Sequence, residues 1–111
     1  MPAQNVPVMT LSVVASAAHP ENLAVSMAGA LSGAGAIILG ITTELAVSGK
    51  PVPVVVLGTA VATAGAAVAA GAELEATAAG KLITKNTGIV VARALQAAAA
   101  DGDKFEVLLV P

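Results

Sequence analysis

Turn-forming residues interrupt this sequence about every 8–12 residues, and that spacing constrains the fold more than any other feature. Between the turns lie short stretches that are either β-branched or alternate between apolar and polar residues. The clearest is residues 52–57, in which three consecutive valines favour a pleated, buried strand. The pattern predicts an all-β fold, namely a small compact β-barrel or sandwich of short strands with an extended N-terminal arm.

Further strands are predicted at residues 36–41, near Val61, and at 73–77, 81–85, 89–95 and 104–110, with 73–77 and 81–85 forming a hairpin. Residues 23–35 and most of 58–71 are rich in glycine and alanine and are predicted to form loops and turns. The residues predicted to form structural turns are Gly49, Gly80, Asp101, Gly102 and Asp103.

The first 22 residues are predicted to form an N-terminal arm or edge strand, and residues 23–111 a single β domain. Met9, Leu11 and Val13 alternate with polar residues, which is typical of a strand with one covered face. A proline within this stretch favours a position at the edge of a sheet, because proline has no N–H to donate to a neighbouring strand.

Alanine supplies 27 of the 63 hydrophobic residues, and the chain has one phenylalanine and no tryptophan or tyrosine. Burying an alanine methyl contributes much less than the roughly 1.5–3 kcal/mol of a fully buried Leu or Val, so the core must be tightly packed. A chain that is short of large side chains often gains stability by burying surface in an oligomer or on a partner. We therefore expect a protein that associates with other chains.

Charge is sparse, because charged residues make up 11% of the chain, the net charge is −2 and the first basic residue is Lys50. Nucleic-acid binding requires a basic face and is helped by aromatic stacking platforms, so no nucleic-acid partner is expected. The chain contains no cysteine, which excludes disulfides and thiolate chemistry.

Two uncharged runs, residues 22–43 and 51–72, are each 22 residues long, which is enough for a membrane helix. Both runs are diluted by small residues, the second contains strand and turn signals, and neither is flanked by a basic cluster. A small membrane protein stays an alternative, but the favoured prediction has no membrane partner.

Few residues could perform catalysis. His19 is the only histidine and precedes a proline in a predicted loop, where we expect a solvated side chain because no triad partner is near. Glu73 and Glu75 share one face of a predicted strand, where such carboxylates form a solvated edge that resists aggregation. Asp101 and Asp103 lack the further acidic ligands of a calcium site. No catalytic residue, metal site or cofactor is predicted.

The C-terminal half of the chain resembles a known protein family. Three segments carry the resemblance, namely GAELEATAAGK at 71–81, GIVVARAL at 88–95 and AAAADGDKFEVLL at 97–109. Their order and spacing are similar to those of the small phage capsid cement proteins, also called decoration proteins, and the likeness extends over residues 36–111. Ala92 departs from the family pattern, which often has glycine there.

This resemblance implies a compact β fold without catalytic activity or a cofactor, and assembly as homotrimers at three-fold or quasi-three-fold positions of a capsid. The partner would be the major capsid protein, and the protein would be made in the host cytoplasm and end on the outer surface of the virion. Its role would be to reinforce an expanded capsid against the pressure of internal DNA. Many copies at symmetry-related positions strengthen a shell even when each contact is modest.

The near absence of charge before Lys50 adds a prediction about the N-terminal segment. Met9, Leu11 and Val13 are expected to bind the capsid or a neighbouring subunit, since a binding module needs exposed apolar surface and unpaired strand edges. A self-assembling virion subunit of a tail tube or shell stays an alternative, which large particles formed by the purified chain would distinguish.

Overall fold

The computed structural model describes residues 6–27, 29–31 and 33–109. Within these ranges the chain forms eight β-strands and no α-helix, which confirms the predicted all-β class. Residues 1–5 of the predicted N-terminal arm lie outside the described residues. The strands are β1 (Val6–Val14), β2 (Ala24–Val25), β3 (Gly40–Thr42), β4 (Pro51–Thr63), β5 (Glu73–Ala76), β6 (Leu82–Thr84), β7 (Ala92–Ala94) and β8 (Lys104–Leu109).

Antiparallel pairing joins the strands into one sheet that curls into a nearly closed barrel. The order across the sheet is β2-β3-β4-β8-β7-β5-β6, and β1 pairs with β4 outside this path. Two backbone hydrogen bonds close the sheet. The N–H of Ala24 in β2 donates to the carbonyl of Gly80, which precedes β6 (2.7 Å), and the N–H of Gly65, which follows β4, donates to the carbonyl of Leu82 in β6 (2.9 Å). The barrel form of the predicted fold is therefore confirmed.

The longest strand, β4, extends well beyond its predicted end. It includes both the predicted strand at 52–57 and the short strand predicted near Val61, and it is continuous through Gly58 to Thr63, so only the prediction of turns between them was wrong. Gly58 has a φ of +100°, which lets the strand bend where a residue with a side chain would be strained. The alanine-containing stretch after Gly58 is a strand because it pairs with β8 from Thr59 to Thr63.

Strand β4 uses its two edges differently. Val6 of β1 and Leu108 of β8 both pair with Thr59, and at Val55 the two partners belong to β1 and β3. A strand has only two edges, so β1 runs along one edge of β4, while β3 and β8 follow each other along the opposite edge.

The region at 23–35, predicted as loop, contains β2 and a buried segment. Leu23, Ala24 and Val25 are at most 6% exposed, and β2 pairs with β3. The loop prediction was therefore wrong at β2, because this two-residue strand is defined by its pairing with the next strand and not by a pattern in its own sequence. The predicted hairpin of β5 and β6 is confirmed, with Glu75 opposite Ile83.

The core uses alanine as a space-saving residue. Among the residues whose side chains the structure describes, the main cluster has 18 buried members, which include residues of strands β2 to β8, and eight of them are alanine. Phe105, Leu74 and Leu82 are fully buried within it. A second cluster includes Val52 of β4, and Val13 of β1 packs against it. Strand β1 is thus attached to the barrel through this second cluster.

Candidate interaction surfaces

Strand β1 carries the three residues predicted to bind a capsid or a subunit. Met9 and Leu11 are 49% and 43% exposed, whereas Val13 is half-buried against the second cluster. The pairing of β1 with β4 shifts register on both sides of Met9, so the strand is irregular there. The structure presents two of the three side chains to solvent and uses the third to attach the strand.

In the part of the chain that the structure describes, β1 pairs with β4 alone and its outer edge is unpaired, although Gly29 packs against the carbonyl of Val14 at the C-terminal end of the strand. Folded proteins usually keep edge strands short, charged or covered, because an open edge can pair with a further strand. Strands β2 and β6 have two and three residues, but β1 has nine and carries no charged residue. Strand β1 is therefore the edge best suited to accept a strand from a partner.

A groove opens in the barrel wall along the other edge of β4. Val55 is the last residue of β4 that pairs with β3, and Thr59 is the first that pairs with β8. Neither strand pairs with the residues between them, and a cavity of about 230 Å³ lies at this gap. Its lining consists of Met27, Ile37, Ile38, Leu39, Gly40, Val56, Ile89, Val90, Val91 and Leu109.

Every residue that lines this groove is apolar or glycine. Met27, Ile37 and Ile89 form its rim and are 63%, 61% and 53% exposed, and contiguous apolar surface of this kind marks interaction sites. Sequence reasoning missed the groove because it placed Ile37 and Ile89 inside predicted strands, whereas both lie in loops. The available signal was the presence of large apolar side chains directly after glycine-containing turns.

Glu75 fixes the loop that carries one side of the groove. Its Oε1 accepts hydrogen bonds from the backbone N–H groups of Asn86 and Gly88, the second at 3.1 Å. These donors, Asn86 first, hold the pKa of Glu75 below the usual range of a glutamate. Glu75 is 7% exposed, so the prediction of a solvated pair was wrong for this residue. Glu73 is exposed and lies 3.7 Å from Arg93 in an ion pair.

Close backbone packing holds the two rim loops together. The N–H of Ile89 donates to the carbonyl of Gly35 (3.0 Å), and the N–H of Gly35 donates to that of Ala76 in β5 (2.8 Å). A Cβ on Gly88 would overlap the Cα of Gly35, so only glycine fits at this crossing. Because Ile37 follows Gly35 closely in sequence, the rim side chains project from a fixed frame.

The predicted turn residues lie in or beside turns. Gly49, Gly80 and Gly102 have φ values of +82°, +78° and +91°, in the left-handed region that favours glycine. Asp103 accepts hydrogen bonds from two preceding backbone N–H groups (3.0 and 3.2 Å). Asp101 forms an ion pair of 2.9 Å with the lysine that precedes β6.

Two further titratable side chains are buried, in addition to Glu75. His19 is 5% exposed and its backbone pairs with Ala46, so the prediction of a solvated loop histidine was wrong. Glu106 of β8 is 2% exposed. Among the described residues, His19 Nε2 and Glu106 Oε1 have no hydrogen-bond partner, and no group of three or more His, Cys, Asp or Glu could hold a metal ion.

No helix within residues 6–27, 29–31 and 33–109 is long and apolar enough to cross a membrane.

Comparisons with known proteins agree with the resemblance seen in the sequence. The sequence model of a family described as phage cement protein matches residues 3–109. The head fiber gp8.5 N base of bacteriophage phi29 shares the fold, with a TM-score of 0.76 and 13% sequence identity over 92% of this chain and 93% of that chain. No curated protein matches the sequence. Since the family match spans almost the whole chain, this protein belongs to the phage cement protein family and is a capsid-associated structural protein of a bacteriophage.

Proposed function

We propose that this chain is a decoration protein that binds the outer surface of a phage capsid through β1 and stabilises the shell. Its partner is the major capsid protein, and three copies assemble at each three-fold or quasi-three-fold position. The protein is made in the host cytoplasm and joins the virion at the capsid surface. Residues 1–22 act as the binding arm or edge strand, and residues 23–111 as the single β domain that carries it.

The open edge of β1 is the observation that carries this mode of binding. A strand added along this edge gains affinity from main-chain hydrogen bonds and specificity from side-chain contacts. Met9 and Leu11 add exposed apolar surface, whose burial contributes about 25 cal/mol per Å². Strand β1 carries no charge that would have to be desolvated. Val13 keeps β1 attached to the barrel when a partner binds.

Modest affinity at each contact suffices for the proposed stabilisation. Three linked copies at one position bind with an effective concentration that a single copy lacks, so the combined affinity exceeds that of each contact. A protein that binds the assembled shell, and not its separated subunits, stabilises the shell by mass action.

Co-sedimentation with capsids that lack this protein tests the role of β1. Leu11→Glu places a charge on the exposed part of β1, and we expect the dissociation constant to rise at least about tenfold, because the carboxylate would be desolvated in the interface. Leu108→Glu is the matched control, since Leu108 is 41% exposed on β8 and Leu11 is 43% exposed on β1. Circular dichroism verifies that both variants are folded.

Unchanged binding by Leu11→Glu, or an equal loss in the control, contradicts the role of β1. The mass of the purified chain tests the assembly state, because a decoration protein forms a discrete small species from its 10.6 kDa subunits. Large particles formed by the chain alone would support a self-assembling shell or tail-tube subunit instead.

A further inference from the structure

We propose that the groove between β3 and β8 is the surface through which copies of this chain contact one another, and that it receives Leu45 of the neighbouring copy. This inference rests on the trimer of the proposed function and assigns its interface. A closed ring of three requires a heterologous contact, in which one patch of each copy meets a different patch of the next. Each copy must therefore carry two complementary patches, one that receives a side chain and one that inserts it.

The groove is suited to receive an apolar side chain. Its lining is uncharged and its volume is about 230 Å³, whereas an apolar cavity of about 150 Å³ is enough to hold benzene. A branched aliphatic side chain therefore fits. The rim loops are held by the Glu75 carboxylate and by the hydrogen bond from Ile89 to Gly35. A site that is already ordered loses little conformational entropy when it binds.

The connection between β3 and β4 is suited to insert an apolar side chain into a neighbouring copy. Leu45 is 67% exposed and Val47 is 47% exposed. Ala46 between them is buried and exchanges two backbone hydrogen bonds with His19 (3.2 and 2.9 Å). Leu45 and Val47 therefore project from a loop that backbone hydrogen bonds hold in place, and both side chains are apolar like the lining of the groove.

The positions of the surfaces favour a second copy over the capsid as the occupant. The groove and β1 lie along opposite edges of β4, so a strand added to β1 leaves the groove open. Contact between two identical edges of β1 would produce a two-fold dimer and not a ring of three. Pairing of the groove with Leu45 is heterologous, and so it can close a trimer.

A charge-exchange experiment tests this contact directly. Leu45→Lys and Ile89→Asp each place an unpaired charge in the interface, and each is expected to weaken self-association about 10- to 100-fold. The double variant Leu45→Lys/Ile89→Asp pairs the two charges in every interface and is expected to recover most of the association. Leu108→Lys, on β8 outside both patches, is the control. Light scattering across a dilution series measures the mass.

The outcomes separate this inference from the proposed function. Monomeric single variants, an associated double variant and an unchanged control support the groove as the interface. Single variants that stay associated, or a double variant that is not rescued, overturn it. The inference is also overturned if the wild-type chain is monomeric and Ile89→Asp abolishes its co-sedimentation with capsids, because the groove would then bind the capsid. Failure of wild type to bind capsids contradicts the proposed function itself.

Discussion

The carboxylate of Glu75 stabilises a loop that has little regular structure of its own. Residues 85–91 contain no strand, yet two of their backbone N–H groups donate to this single side chain. Ordinary strand alternation places Glu75 beside Glu73 on a solvated face. The loop at residues 86–88 folds over β5 and covers Glu75. Its burial could not be predicted from the sequence, because the covering residues reach it through tertiary folding.

Replacing this carboxylate should change how stability depends on pH. Because the folded-state pKa of Glu75 is lowered, its contribution is fully present above the unfolded-state value of about 4.3 and is lost as the pH falls through the folded-state pKa. Glu75→Gln should therefore lower the thermal midpoint at pH 7, and the difference from wild type should shrink in acid. Thermal unfolding followed by circular dichroism at pH 7 and at lower pH measures this.

Glu73→Gln is the matched control for that experiment. The side chain of Glu73 is 54% exposed and its ion pair with Arg93 spans 3.7 Å, and exposed pairs contribute little to stability. Its midpoint should stay near that of wild type at every pH. A Glu75→Gln deficit that is independent of pH would show that the lost contribution is packing and not the ionised carboxylate.

Strand β4 shows which part of an element is encoded locally. Residues 52–57 were predicted because β-branched residues favour a pleated strand in almost any setting. After Gly58 the sequence predicts turns apart from a short strand near Val61, whereas the strand is continuous to Thr63 and pairs there with β8, more than 40 residues later. Gly58 also lies in the gap between the residues of β4 that pair with β3 and those that pair with β8, which is where the groove opens.

A side chain at Gly58 should destabilise the barrel through the backbone. Its φ of +100° lies in the region that residues with a Cβ rarely adopt, and such strain costs about 1–3 kcal/mol. Gly58→Ala should lower the free energy of unfolding by that amount, measured by chemical denaturation. Gly33→Ala is the control, because a Cβ there would meet only the Cβ of Ala36 at 3.6 Å, and we expect a change within about 0.5 kcal/mol. Equal effects would exclude backbone strain as the cause.

At the scale of the whole molecule, the two surfaces differ in how far the sequence reveals them. The β1 surface follows from local alternation, so Met9 and Leu11 could be named before the fold was known. The groove is built from Met27, Ile37 and Ile89, which are far apart in sequence and meet only in the folded barrel. The alanine-rich composition indicated a need for partners, but composition alone cannot locate the surface that meets them.

That need for partners leads to a prediction about thermal stability. If the folded chains associate in threes and the unfolded chains do not, dilution favours unfolding by mass action, and the thermal midpoint must depend on concentration. For a chain of 111 residues, a 100-fold dilution should lower the wild-type midpoint by roughly 5–10 °C. Leu45→Lys should have a lower midpoint that does not change with concentration, because its unfolding no longer includes dissociation. Differential scanning fluorimetry with an extrinsic dye measures both, and a wild-type midpoint that is independent of concentration would contradict the coupling of folding to assembly.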